Sequence, residues 1–185
     1  MKDMISRILT FVKSLYKLTL TDKQWLDFYK KKGLKIGVNC RVYSFYFGSE
    51  PYLIKIGNHV TITAGVRFIT HDGGAWVFRE NEPDLEVAAP IVIGNNVFVG
   101  VNSIILPGTI IEDDIVIGAN SVVKGHLKKG FVYAGVPIKK IKSIDDYRSS
   151  MNTRCEFKQS LNYAKKKEFY EKKFKETINN SCTST

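Results

Sequence analysis

Residues 87–128 read VAAPIVIGNNVFVGVNSIILPGTIIEDDIVIGANSVVKGHLK, and an aliphatic residue returns in them at every sixth place: Val87, Ile93, Val99, Ile105, Ile111, Ile117 and Val123. Four residues after each stand Ile91, Val97, Ser103, Thr109, Ile115, Ser121 and Leu127. Neither the helical period nor the alternation of a strand repeats in sixes. A period of six fits chain that runs straight, turns a corner and runs straight again, with one large and one smaller residue facing inward on each side of a prism. Gly94, Gly100, Gly108 and Gly118 fall at the corners. The pattern predicts a mainly β protein, a left-handed parallel β-helix in which three hexapeptides make one triangular coil of about 18 residues.

The repeat runs backwards through Ile56, Ile62 and Phe68, and more loosely to Ile36 and Val42. Between Phe68 and Val87 it skips, which predicts an insertion of about thirteen residues, 74–86, leaving the prism as a loop because stacked coils pair in register. The β-helix domain then spans 36–142, between an N-terminal helical segment, 1–35, and a basic C-terminal helical tail, 143–185. Within the first segment, residues 1–19 are amphipathic and basic, too short and charged to cross a bilayer. Packing on the prism is the expected use of that face, and surface contact with anionic lipid is the other. Thr21 and Asp22 cap a second helix carrying Trp25, Leu26, Phe28 and Tyr29, stopped by Gly33, which covers the lower end of the prism and its unpaired strand edges. In the imperfect first coil, Tyr43, Phe45, Tyr46, Phe47 and Tyr52 exceed what a narrow prism holds, so some face outward toward a subunit interface. Residues 130–137 are expected to leave the prism, and residues 138–142 to open the charged tail.

In 185 residues, 28 Lys and Arg stand against 18 Asp and Glu, a net charge of +10 that suggests an anionic partner. The basic clusters carry no recognisable nucleic-acid module, so no nucleic acid is expected. Cys40, Cys155 and Cys182 lack pairing logic and metal spacing, and no signal peptide stands at the start. The reading is a reducing cytoplasm, with the inner face of a membrane left open by the basic N-terminal segment.

Of three histidines, His126 sits among lysines and His59 at a corner, whereas His71 lies where the prism breaks, followed by Gly73 and Gly74. Counted on the six-residue register, Asn102 and Asn120 stand above His71, and Val101 and Ala119 stand about 5 and 10 Å along the axis from it. Lysines follow beyond Pro137. A histidine at one end of a groove and lysines at the other suit a long ligand with a neutral reactive end and distant phosphates, the shape of coenzyme A.

The stretches Ile93-Gly94-Asn95-Asn96-Val97-Phe98-Val99-Gly100, Ile105-Leu106-Pro107-Gly108, Ile117-Gly118-Ala119-Asn120-Ser121 and Ala134-Gly135-Val136-Pro137 resemble the hexapeptide-repeat acetyltransferases. They are most similar to the galactoside, maltose and nodulation-type enzymes and to the O-acetyltransferases of bacterial surface-polysaccharide clusters. The resemblance implies a homotrimer with acetyl-CoA as donor, bound between subunits, and no metal. It implies His71 as general base, main-chain contacts to the donor at Gly100, Val101 and Ala119, and phosphate contacts from Lys139 and Lys142, where the family often has arginine. Backbone N–H groups near Gly100 are expected to hold the oxyanion, and Asp72 or Glu80, or a backbone carbonyl, to orient the imidazole. Trp76, Arg79, Asp72 and Glu80 are expected at the acceptor, because aromatic faces stack on sugar rings and carboxylates accept from hydroxyls. The expected function is transfer of acetyl to a sugar hydroxyl in surface-polysaccharide biosynthesis. The competing readings are a non-enzymatic scaffold and a zinc enzyme like the γ-class carbonic anhydrases, which needs three converging histidines.

Overall fold

The structure is a computed structural model that describes residues 21–153 and 162–180, with side chains to residue 175. The N-terminal stretch 1–19, Cys155 and Cys182 lie outside the described residues. The chain divides into two compact units at Arg148 and Ser149.

Three flat faces make the prism of the first unit, a left-handed parallel β-helix. Face one stacks β1 (Lys35–Ile36), β3 (Ile54–Ile56), β6 (Ile91–Ile93), β9 (Ile110–Ile111) and β12 (His126–Leu127). Face two stacks β2 (Arg41–Val42), β4 (Thr61–Ile62), β7 (Val97–Val99), β10 (Ile115–Ile117) and β13 (Phe131–Ala134), and ends in β14 (Lys139–Ser143). Face three is shorter, with β5 (Arg67–Phe68), β8 (Ile104–Ile105) and β11 (Val122–Val123). Ile56, Ile62, Phe68, Ile93, Val99, Ile105, Ile111, Ile117 and Val123 fill the axis and are buried, with Ser103, Thr109 and Ser121 as the small inward partners. Each fully buried aliphatic side chain contributes about 1.5–3 kcal/mol. Buried hydroxyls turn back onto the coil: Ser121 Oγ donates to Gly118 O at 2.8 Å and Thr109 Oγ1 to Leu106 O at 2.7 Å.

Pairing gives the true length of each coil. Ile93 opposes Ile111 and Ile105 opposes Val123, the regular spacing of 18. Lys35 opposes Lys55, a looser first coil. Ile111 opposes Leu127, two residues tighter, so Leu127 stands above Ile111 and not above Thr109 as the period implied. The prism also continues further than expected: residues 131–134 pair in parallel with β10, and only after Ala134 does the chain reverse. Residues 139–143 are then no tail but an antiparallel edge strand on β13, which gives the last coil's open edge a partner.

The lower end is closed as expected. Helix α1 (Asp22–Lys31) begins in a capping box, with Thr21 accepting from Gln24 N and the Gln24 side chain accepting from Thr21 N. Gly33 at φ 98° ends it. Its aromatic face lies on the first coil: Trp25 stacks on Phe45, Tyr29 meets Phe47 edge-on, and Phe47, fully buried, stacks on Phe68 at 5.0 Å. Tyr43, Tyr46 and Tyr52 face outward. Helix α2 (Ile144–Asn152) and, in the second unit, the lysine-rich α3 (Tyr163–Asn180) follow. No helix among the described residues is long and apolar enough to cross a membrane.

Candidate active site

Phe68 opposes Ile105, a spacing of 37 where a regular coil has 18. The excursion is therefore one hexapeptide longer than the period indicated. Val87 is no inward residue; it is 47% exposed, and it mimics the repeat because it belongs to the neck of the loop. There the chain doubles back: Asp72 N–H donates to Val87 O at 2.8 Å, Ala89 N–H donates to Thr70 O at 2.9 Å, and His71 bridges Ala88 antiparallel.

This neck holds His71, and its orienting partner comes from elsewhere. The Asp72 carboxylate accepts from Gly74 N at 2.9 Å and starts the 3-10 helix Gly73–Phe78, so it does not hold the imidazole. Glu50 does, instead of either Asp72 or Glu80. His71 Nδ1 donates to Glu50 Oε2 at 2.9 Å, and Thr70 Oγ1 donates to the same oxygen at 2.5 Å. Glu50 stands just before the turn Pro51–Leu53 that links the first coil to the second. The Thr70 hydroxyl and then the His71 ring hold its carboxyl below the ordinary value, so it is ionised at neutral pH. With the Nδ1 proton committed to a carboxylate, the lone pair of Nε2 is the one left for chemistry. The other histidines have other partners: His59 Nδ1 meets Asn96 at 2.9 Å, and His126 Nε2 meets Glu112 at 2.7 Å.

Two clefts flank His71. A polar one of about 290 Å³ is lined by Glu50, Asp72, Trp76, Arg79 and Glu86 together with His71. Three of the four expected acceptor residues thus lie together, and Glu80 is not among them. Trp76 is 74% exposed, and Arg79 Nε donates to Leu85 O across the loop at 3.0 Å. The second cleft, about 470 Å³, runs from His71 over Val87, Leu106 and Pro107 to Lys124. Because Phe68, Ile105 and Val123 stack, Lys124 stands two coils above Ile69, about 10 Å along the axis. In the sequence Lys124 reads as one of a run of lysines, and the longer excursion hides that it stands two coils above the break.

The corrected register also moves the expected donor residues. Pro107 and Gly108, not Val101 and Asn102, stand above Thr70 and His71; Asn102 stands above Gly65, and Asn120 above Asn102. Val101 and Ala119 lie on the edge between faces two and three, whereas His71 lies on the edge between faces three and one. In one chain a whole face separates them, about 20 Å of extended backbone. The turn 135–138 tops the Val101 edge, with Val122 N–H donating to Gly135 O, and brings Lys139 there; Lys142 lies three residues further along β14. The Gly100 N–H donates to Ile117 O at 2.9 Å and is spent in the ladder, so it is not an oxyanion donor. Glycine is needed there for packing, since a Cβ would stand 2.5 Å from Ala119 N.

Comparison with known proteins converges on one family. Residues 90–124 match the profile described as hexapeptide repeat of succinyl-transferase. Protein CapG of Staphylococcus aureus is 48% identical over 153 residues, 81% of this chain and 89% of that protein. An Escherichia coli (strain K12) protein named as a lipopolysaccharide biosynthesis O-acetyl transferase is 34% identical over 128 residues, 63% of this chain and 64% of its own length. Among solved structures, a hexapeptide-repeat acetyltransferase of Vibrio cholerae superposes with a TM-score of 0.56 at 21% identity, over 68% of this chain and 82% of that one, which supports the fold.

Proposed function

Because the chain belongs to the hexapeptide-repeat acetyltransferase family, we propose that it transfers acetyl from acetyl-CoA to a sugar hydroxyl of a bacterial surface polysaccharide, with His71 as general base. The observation that carries the proposal is the Glu50–His71 pair, 2.9 Å long, standing between a polar cleft and a groove that ends at a lysine. Acetyl-CoA supplies an activated thioester carbonyl. His71 Nε2 takes the proton of the acceptor hydroxyl as its oxygen attacks that carbonyl, and returns it to the departing thiolate, so no covalent enzyme species forms. Glu50, fixed by Thr70, keeps the ring in the right tautomer and stabilises its transient positive charge. Trp76 offers an apolar face to a sugar ring, and Arg79 and Glu86 offer hydrogen bonds to its hydroxyls. The name of the Escherichia coli relative favours a polysaccharide acceptor.

The donor site is completed by a second subunit of a homotrimer. Face three carries half-buried Ile104, Leu106 and Val122 on its outer side, an apolar strip suited to contact. If three prisms turn face three toward a common axis, the Val101 edge of one subunit meets the His71 edge of the next. A heterologous contact of this kind closes into a ring. Val101, Ala119 and Lys139 from one subunit then wall the groove that climbs from His71 to Lys124 on its neighbour, and Lys142 extends the basic rim.

The test is thiol release from acetyl-CoA with a panel of galactosides, maltosides and N-acetylhexosaminides, with wild type and His71→Ala compared at equal trimer concentration. Acceptor-dependent release that falls about 10²–10⁴-fold in the variant is expected. Equal rates in the two proteins would make His71 structural and leave the scaffold reading in front.

A further inference from the structure

A third cleft, about 340 Å³, opens on the edge between faces two and three, lined by Trp25, Tyr29, Tyr43, Phe45, Tyr46 and Gly65 with Ser44. Among the described residues, none of those lining it is charged. Tyr43 and Tyr46 are 56% and 60% exposed, and the Arg67 guanidinium braces the Tyr46 ring from 5.3 Å. Its height on the prism is fixed: Tyr46 bridges Arg67 in parallel, and Phe47 stacks on Phe68. Tyr43 to Tyr46 thus lie one coil below Arg67 and Phe68, with Gly65 at the level of the coil that ends in His71, and the cleft is one face away from that histidine. Within one chain it cannot serve His71.

Resting on the acetyl-transfer reading, we infer that this aromatic cleft is the partner subunit's half of the acceptor site. It receives a second, uncharged ring of the glycan while the reacting sugar sits by His71, Trp76 and Arg79 of its neighbour. The placement follows from the symmetry. The groove between His71 and Lys124 runs along the prism axis, so a prism lying alongside can wall it over its length, and a rotation about a parallel axis keeps every coil at its own height. At the height of Val101 and Ala119 the neighbour's edge meets the donor groove; two to three coils lower, the same edge presents Tyr43, Tyr46 and Trp25 beside the lower part of the polar cleft, where Glu50 leaves the first coil. The chemistry divides accordingly. An uncharged, tyrosine-lined hollow does not suit the phosphates of a coenzyme or nucleotide, and it suits the C–H face of a pyranose or an N-acetyl methyl group. The assembled site is then polar where the hydroxyl reacts and aromatic one ring further on, and it selects acceptors of at least two sugar units.

Two experiments test this. In a chain with Cys40, Cys155 and Cys182 replaced by serine, Tyr46→Cys and Val87→Cys together are treated with a short bismaleimide. Covalent dimers and trimers on a denaturing gel are expected; a native trimer that yields only monomer would overturn the placement while leaving acetyl transfer intact. In the second, chains carrying His71→Ala are co-assembled one to one with chains carrying Tyr43→Ala and Tyr46→Ala, and turnover is measured at subsaturating disaccharide. The tyrosine variant alone should raise the disaccharide KM about tenfold, with the monosaccharide and acetyl-CoA KM values unchanged. Because about a quarter of all sites in a random one-to-one mixture combine an intact His71 with an intact partner cleft, mixing should restore about a quarter of wild-type turnover. Turnover no higher than the mean of the two parents would place the cleft in cis or outside the acceptor site. A tyrosine variant that loses its trimer and its acetyl-CoA affinity together would make the rings interface packing only. Wild type without acetyl transfer to any acceptor would sink the functional reading itself, and the cross-link would still decide whether the two edges face each other.

Discussion

Face one has two edges built from the same repeat, and they are finished in opposite ways. On the edge toward face two, side chains ladder from coil to coil: Val38 N–H donates to Asn58 Oδ1, Asn58 N–H to Asn95 Oδ1 and Asn95 N–H to Asp113 Oδ1, at 2.9, 2.9 and 2.6 Å. Asn39, His59, Asn96 and Asp114 turn that corner with φ near 55°, a conformation that short polar side chains tolerate better than most. On the edge toward face three, Pro107 and Gly108 turn the corner and the chain is interrupted by the neck that carries His71. The laddered edge meets its own backbone hydrogen-bonding needs through side chains of the coil above. The interrupted edge turns one carboxylate and one imidazole toward each other, with a cleft on either side. Corner side chains thus decide whether an edge of this fold is wall or site.

The sharpest way to break the comparison is at the interrupted edge, beyond the loss already expected for His71→Ala. Glu50→Gln keeps the shape but replaces a charged acceptor by a neutral one. A hydrogen bond to a charged group is worth about 1.5–3 kcal/mol, so kcat should fall roughly 10–100-fold. The KM for acetyl-CoA should hold, and Glu50→Asp should recover part of the rate. A fall in melting temperature with kcat intact would make Glu50 a structural brace. At the laddered edge, Asn96→Ala strains a left-handed residue and removes its contacts to His59 at 2.9 Å and Asp114 at 2.7 Å. About 1–2 kcal/mol of stability should go, lowering the melting temperature by several degrees with kcat untouched, and Asn96→Gly should restore part of it because glycine adopts this φ without strain. Equal losses in the alanine and glycine variants would mean that the side-chain bonds, not the backbone, hold the corner.

The same contrast explains what was legible in the sequence. From Ile91 to Val123 the inward residues follow the six-residue count without a slip, because the coils paired there keep one spacing of 18 on all three faces. The cap was readable at Thr21, Gln24 and Gly33, whose chemistry is local. His71 was readable because it borders the break. Its partner was not: Glu50 stands 21 residues earlier, in a coil whose pairing is two residues longer than regular, so no period points to it. The excursion was undercounted because Val87 sits where a repeat residue would, although it pairs antiparallel in the neck. That single hexapeptide moved Val101 and Ala119 onto the wrong edge. The edge strand Lys139–Ser143 looked like a tail because a tightened last coil carries no repeat to predict it.

The smallest effect expected comes from the top of the laddered edge, where Glu112 accepts from Lys129 N at 2.9 Å, from Lys128 Nζ at 3.0 Å and from His126 Nε2 at 2.7 Å. The Lys129 amide first, and then the Lys128 ammonium, hold its carboxyl at about 2, against an ordinary 4.5. A carboxyl whose folded value is depressed contributes stability that is fully present above the ordinary value and is lost as pH falls toward the folded one. The clasp should therefore hold from neutral pH down to the ordinary carboxylate range and weaken from there to about pH 2. Glu112→Gln should lower the melting temperature by less than Asn96→Ala does. The gap from wild type should stay constant between pH 7 and 5 and close as the solution is acidified further. Glu112 is half-buried and its Lys128 partner exposed, so high salt should narrow the gap as well. A gap that stayed the same at low pH would mean that the carboxylate's charge contributes nothing and that hydrogen-bond shape alone ties the last coil down. The laddered edge would then be neutral in its energetics from bottom to top, and charge would be confined to the edge that carries His71.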